Sequence, residues 1–180
     1  MRHKKEKLPR EKRNFALVSP PFPLFLLFFD MTPLNLPPVT LKTQTSGAQT
    51  SVFDFLRRRY VRLTPEEWVR QHFTHFLVTH KHYPQGLLAN EVTVMVGGVA
   101  RRCDTVLYHR QGGSPRVIIE YKAPSVPITA ATFRQACSYN SVLKADYIFV
   151  SNGLTHYCCR IDYRTFCVEY LNEIPDYDAL

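Results

Sequence analysis

The tetrapeptide Thr64-Pro65-Glu66-Glu67 fixes the frame for everything around it. It offers an N-cap hydroxyl, a proline at the first helical position and a glutamate at the third, the pattern of a capping box. A helix must therefore start here and run to about His80, with Trp68, Val69, His72, Phe73, Phe76 and Leu77 as its apolar stripe. The preceding run, Val52 to Leu63, is β-prone up to the helix start. Two β-prone runs follow, Leu87 to Val96 and Val99 to His109, split by Gly97-Gly98 and so predicted to form a hairpin. A second turn, Gln111 to Pro115, leads into the strand Arg116 to Lys122, which Pro124 and Pro127 stop. Thr129 to Lys144 reads as a second helix and Tyr147 to Ser151 as a further strand, ended by Asn152-Gly153. His156 to Tyr163 and Phe166 to Leu171 read as a last pair. The predicted class is α/β, with helix, three meandering strands, helix, strand and a β-rich tail.

Composition narrows the class of molecule. The chain has 180 residues, 45% hydrophobic and 21% charged, which is a globular profile of about one domain. No apolar run reaches the ~18 residues of a membrane span, and no internal period appears. The net charge is +8, of which +4 lies in the first 30 residues, leaving +4 on the remainder. That balance allows a nucleic-acid partner without requiring one. Five cysteines (103, 137, 158, 159 and 167) match no paired zinc spacing, so a reducing, cytoplasmic compartment is expected. Cys158 and Cys159 are adjacent in a predicted strand and should face opposite ways, which weighs against a metal site with His156. The histidines crowding the first helix and its exit (72, 75, 80 and 82) read as packing or surface residues.

The first fifty residues stand apart. A basic run, Arg2 to Arg13, precedes an apolar run, Phe22 to Phe29, in the order of a signal peptide. Pro23 interrupts it, Asp30 follows, and no small-x-small cleavage site appears. The favoured reading is an extension ahead of a more ordinary start at Met31. Residues 31–50 are expected to be an extended, mobile arm, which places the folded domain at 51–180.

Chemistry concentrates on the third strand. Glu120 and Lys122 are two apart and project from one face, leaving a buried strand together. Both would be costly in a core unless paired or solvated. An antiparallel pairing through the 111–115 turn can set Asp104 beside Glu120. Two adjacent carboxylates repel, and oxygen-only ligation suits Mg²⁺ or Mn²⁺ rather than zinc. Lys122 would then reach the attacking water and an incoming phosphate. On the second helix Gln135 and Tyr139 share a face, roughly opposite Phe133, Ala136 and Cys137, from which they could meet a substrate backbone. Arg57, Arg58, Arg59 and Arg62 offer phosphate contacts along the first strand, and Arg102 adds another next to Asp104.

Asp104, then Glu120-x-Lys122, then Gln135-x-x-x-Tyr139 resembles the PD-(D/E)xK nuclease superfamily. Within it, the chain is similar to the N-terminal nuclease domain of type I restriction enzyme R subunits, in a stand-alone short form. The residues that carry this are Pro65 to Phe73, Arg102-x-Asp104, Glu120 to Pro124, Gln135 to Asn140 and Ser151 to Asp162, and the likeness spans about 52–178. It implies a restriction-endonuclease-like core, a central mixed sheet of a three-strand meander plus a further strand flanked by helices, in the order α-β-β-β-α-β. It implies a Mg²⁺-dependent endonuclease in which Asp104, Glu120 and the Tyr121 carbonyl hold the metal. Lys122 would orient water or stabilise charge, and Gln135 and Tyr139 would orient DNA or the site. The family also places an acid on the first helix. Glu66 is preferred over Glu67, which is assigned to capping, and Glu91 is a further candidate. Cys103 stands where the superfamily carries a proline. The expected partners are DNA and a second copy or another protein, with no membrane. The competing readings are a catalytically inactive nucleic-acid-binding module of the same fold, and an interaction protein built on the Cys/His tail.

Overall fold

The computed structural model describes residues 32–165 and 167–180. The basic and apolar runs of the first 30 residues lie outside the described residues. Two sheets and two helices make up the rest. A small antiparallel sheet holds β1 (Thr43–Ser46), β2 (Gln49–Asp54) and β3 (Arg59–Arg62) in sequence order. Then come α1 (Pro65–His80), the hairpin β4 (Leu88–Val96) and β5 (Val99–Tyr108), β6 (Pro115–Tyr121), α2 (Ala130–Leu143), β7 (Tyr147–Ser151), β8 (His156–Asp162) and β9 (Cys167–Leu171). Strands β4 to β9 form one six-stranded sheet in chain order. Every pair is antiparallel except β6–β7, which α2 connects in parallel. This is the α-β-β-β-α-β order of a restriction-endonuclease-like core, with β8 and β9 extending the sheet.

The helices cover opposite faces of the large sheet. Val69, Phe73 and Leu77 of α1 pack with Leu107, Val117, Ile119, Tyr121 and Phe149. Ala136 and Tyr139 of α2 pack with Val106, Ile118, Ile148 and Val150. The alternation Val117, Ile119, Tyr121 against Ile118, Glu120 is the period of two that sends a strand's side chains to both layers. Cys158 and Cys159 divide between the two layers in the same way.

Three expectations need correction. The run Val52 to Leu63 is not one strand but the β2–β3 hairpin. Asp54 closes its turn by accepting the Leu56 and Arg57 amides at 2.8 and 2.9 Å. The arm at 31–50 is not a free segment over its described part. Leu34 and Leu36 pack against the α1-side core, the Asn35 amide donates to the Gly153 carbonyl at 2.7 Å, and β1 starts at Thr43. Gly153 has φ +81°, and a Cβ there would sit 2.6 Å from the Leu34 side chain. The arm therefore lies on a glycine. Finally, Gln135 and Tyr139 do not oppose Ala136. Thr132, Ala136, Tyr139 and Asn140 form the buried stripe of α2, while Cys137 is exposed.

Candidate active site

The site opens where the ladder between β5 and β6 stops. Regular pairing runs from Leu107–Val117 through Thr105–Ile119 and ends there. One more rung would set Asp104 against Glu120. Instead the Asp104 side chain accepts the Tyr121 amide at Oδ2, 2.7 Å away, in place of a backbone carbonyl. On the other side of β6, the Lys122 amide donates to the Ser151 carbonyl at 2.9 Å, continuing the parallel edge with β7. Residues 120–122 are thus anchored on both flanks while the side chains of Glu120 and Lys122 face the gap.

Across that gap, Glu120 is 3% exposed. Its Oε1 accepts from Lys122 Nζ at 2.8 Å, and Lys122 also donates to Gln135 Oε1 at 3.0 Å. Gln135 Nε2 donates to the Tyr139 hydroxyl at 3.0 Å. Glu120, Lys122, Gln135 and Tyr139 form one bonded chain from sheet to helix. Burial works against the Lys122 ammonium, but the hydrogen bond and charge of Glu120, then the charges of Asp104 and of Glu66, exposed on the first turn of α1, raise it above its ordinary value.

Electrostatics at the gap are unbalanced. Burial, and then the neighbouring Asp104 charge, push the Glu120 carboxyl up to about 7, against the pull of Lys122. Burial also raises Asp104, opposed by Arg70 and the Tyr121 amide. Glu120 Oε2 is buried and has no hydrogen-bond partner among the described residues. A buried carboxylate oxygen with no donor wants a cation or a proton.

The donor set suits a hard divalent ion. The groups that could hold one are the Glu120 and Asp104 carboxylates, with the main-chain carbonyl of Tyr121 as the expected third ligand. The two Asp104 oxygens each accept one bond already, and each keeps a further lone pair for an ion. Among the described residues, no group of three or more His, Cys, Asp or Glu side chains is placed to hold a metal ion.

Arg70, which lay outside the expected set, sits against Asp104, and Glu91, the further candidate acid, sits against Arg70. Arg70, buried on α1, places Nη2 at 2.7 Å from both Asp104 Oδ1 and Glu91 Oε1, and Nη1 on Glu67. The only sequence signal for Arg70 was a cation next to the apolar Val69 and one turn before Phe73. Glu91 lies between the rows Asn90–Thr105 and Val92–Cys103 with φ +58°, a conformation rare for a side-chain-bearing residue. That twist aims its carboxylate at Arg70.

The Thr64 hydroxyl caps α1 by accepting the Glu67 amide at 3.1 Å, as expected. The Glu67 carboxylate does not return to the cap. It is buried, taking Arg57 at 2.7 Å, Gln71 at 2.8 Å, and Arg70. Arg57 in turn pairs with Asp54, so its guanidinium faces inward. Arg58, Arg59 and Arg62 remain exposed. Arg102 is 72% exposed and reaches Glu91 at 3.1 Å.

A mixed α/β core in which β5 brings one acid, and β6 a second acid followed by a lysine, to a common gap defines a restriction-endonuclease-like domain. The chain belongs to the family described as type I restriction enzyme R protein N terminus, whose profile matches residues 65–175. That stretch includes α1, the whole gap and all six strands of the large sheet. A comparison with curated proteins gives no match. Among solved structures, a fragment from Vibrio vulnificus YJ016, described as an HsdR subunit of a type I restriction enzyme, aligns with a TM-score of 0.49 at 21% identity. The alignment covers 64% of this chain and 24% of that one, so this chain spans about a quarter of its length. Among the described residues no helix is long and apolar enough to cross a membrane.

Proposed function

We propose that the chain is a metal-dependent endonuclease domain that hydrolyses DNA phosphodiester bonds, with Mg²⁺ as its ion and Mn²⁺ as a substitute. The observation that carries this reading is the bonded run Glu120–Lys122–Gln135–Tyr139 beside Asp104 at a broken ladder. Asp104, Glu120 and the Tyr121 carbonyl would hold the ion. When bound, it would lower the pKa of a water and offset charge building on the phosphate.

The chain's own residues do the rest. Lys122, already charged and held by Glu120 and Gln135, stands ready to donate to the attacking oxygen or to a non-bridging phosphate oxygen. Gln135 fixes the lysine's direction, and the Tyr139 hydroxyl fixes Gln135. Glu66 lies at the rim, where it would help to orient water. Exposed Arg58, Arg59, Arg62 and Arg102 would meet the backbone of the duplex. Family membership supports a DNA substrate, and the partner would be another restriction subunit or a second copy of this chain.

The test is cleavage of plasmid and linear DNA in Mg²⁺ and in Mn²⁺. Lys122→Ala should abolish cutting and leave the far-ultraviolet circular dichroism unchanged. A Lys122→Ala protein that cuts as fast as wild type removes the assignment. A wild type that binds DNA and never cuts, in either metal, leaves the binding-module reading in its place.

A further inference from the structure

We infer that Arg70 is an internal counter-ion that holds the place of the metal at Asp104, and that Glu91 is the residue that draws it away. This rests on the metal reading above and names two positioning residues for it.

Arg70 is buried, yet it does not make a closed pair. One nitrogen, Nη2, lies 2.7 Å from an oxygen of each of Asp104 and Glu91, and directs its hydrogen bond to Asp104. Its Nε has no partner among the described residues. With one arm touching two acids and one donor idle, the fork keeps a second acid within reach when the Asp104 bond is lost. Its far arm is fixed, because Nη1 rests on Glu67, which Arg57 and Gln71 hold in turn. The head can therefore shift between Asp104 and Glu91 while its base stays put.

Glu91 is built for that exchange. It is held at φ +58° inside a strand, at the row where pairing with Asp104 is interrupted. Backbone strain of this kind persists only where the surroundings enforce it, and it often marks functional positions. Among the described residues its second oxygen meets only the exposed Arg102, at 3.1 Å.

The electrostatic logic is simple. Without an ion, Arg70 compensates Asp104 and keeps two close acids and their neighbour tolerable. An arriving divalent cation is repelled by Arg70 and competes with it for Asp104 Oδ1. Glu91 gives the displaced guanidinium somewhere to go, so that no buried charge is left bare.

The experiment is Mn²⁺ titration of the full chain at pH 8, read by electron paramagnetic resonance of free Mn²⁺. Arg70→Gln should bind Mn²⁺ about tenfold more tightly than wild type, because a repelling unit charge a few ångströms away is gone. Glu91→Gln should bind several-fold more weakly, because Arg70 then has one acid fewer to retreat to. Glu91→Gln should cost less on the Arg70→Gln background than in wild type, since only the direct effect of the Glu91 charge is left there. Arg70→Gln binding equally or more weakly overturns the inference. So does a Glu91→Gln loss that is as large on the Arg70→Gln background as in wild type, which would show that Glu91 does not act through the arginine. If Arg70→Gln does not fold, unchanged affinity in Glu91→Gln overturns it alone. Absence of Mn²⁺ binding in wild type itself would instead take away the metal reading, and this inference with it.

Discussion

Asp104 Oδ2 stands 2.7 Å from the amide nitrogen of Tyr121 and supplies the hydrogen bond that the β5 backbone withholds at that point. One side chain therefore does two jobs. It closes the sheet and it offers its remaining lone pairs to the gap.

That double role separates two substitutions. Asp104→Asn keeps an acceptor for the Tyr121 amide, so the domain should fold, with Mn²⁺ affinity down by tenfold or more for the lost charge. Asp104→Ala leaves a buried amide and Arg70 short of a partner. It should lose about 2–4 kcal/mol of stability as well. Urea denaturation beside Mn²⁺ titration distinguishes them, and equal stability of the two variants would contradict the structural role.

Glu120 gives the pH dependence. Its folded pKa, about 7, lies above the ordinary 4.5, so the folded state binds this proton more tightly than the unfolded chain does. The resulting stabilisation is full below about 4.5 and is lost as pH rises through 7. In chelator, wild type should lose stability between pH 5 and pH 8, and Glu120→Gln should not. At pH 8 the variant should be the more stable by on the order of 2–3 kcal/mol. Parallel stability profiles for the two proteins would refute the shift. Metal binding, which needs the carboxylate, should strengthen over the same window.

The neighbouring arginines Arg57 and Arg58 should behave as opposites. Arg57→Ala strips a counter-ion from buried Asp54 and Glu67, at a cost of about 3–5 kcal/mol, seen as a lower melting temperature. Arg58→Ala should melt within about 0.5 kcal/mol of wild type. It should weaken DNA binding and lower the salt slope by about one. Unchanged DNA affinity of Arg58→Ala at low salt would remove the β2–β3 turn from the DNA surface.

Gly153→Ala should loosen the N-terminal arm. Its positive φ and the 2.6 Å approach of Leu34 leave no room for a methyl group. A loss of about 1–3 kcal/mol is expected. Faster hydrogen exchange at the Asn35 amide, which donates to Gly153, would localise it. Protection equal to wild type would show the arm held elsewhere.

The parts legible in the sequence were those with local causes. α1 begins at Pro65, just after its capping threonine, and β7 spans Tyr147–Ser151 between its expected ends. The meander followed from its glycine turns, and Gln135 with Tyr139 from their spacing. What was hidden depends on tertiary partners. Nothing local marks Asp54 as a turn-closing acid, so β2 and β3 read as one strand. Arg57 looked like its exposed neighbours because its acids, Asp54 and Glu67, are set by packing. Glu67 looked like a cap because the pull of Arg57 and Arg70 is invisible along the chain. The backbone twist at Glu91 has no signature in a strand-like run.

Tyr121 sits between the acid and the lysine in sequence, but its ring points the other way. It is 1% exposed and stacks edge-on with Phe73, 5.6 Å between centroids. The peptide that spaces Glu120 from Lys122 is thus pegged to the greasy underside of α1. Under the proposed activity, a random screen for variants that no longer cut should recover lesions at Phe73, on the far face of β6 from Glu120 and Lys122, because tilting that peg turns both neighbours off their aim.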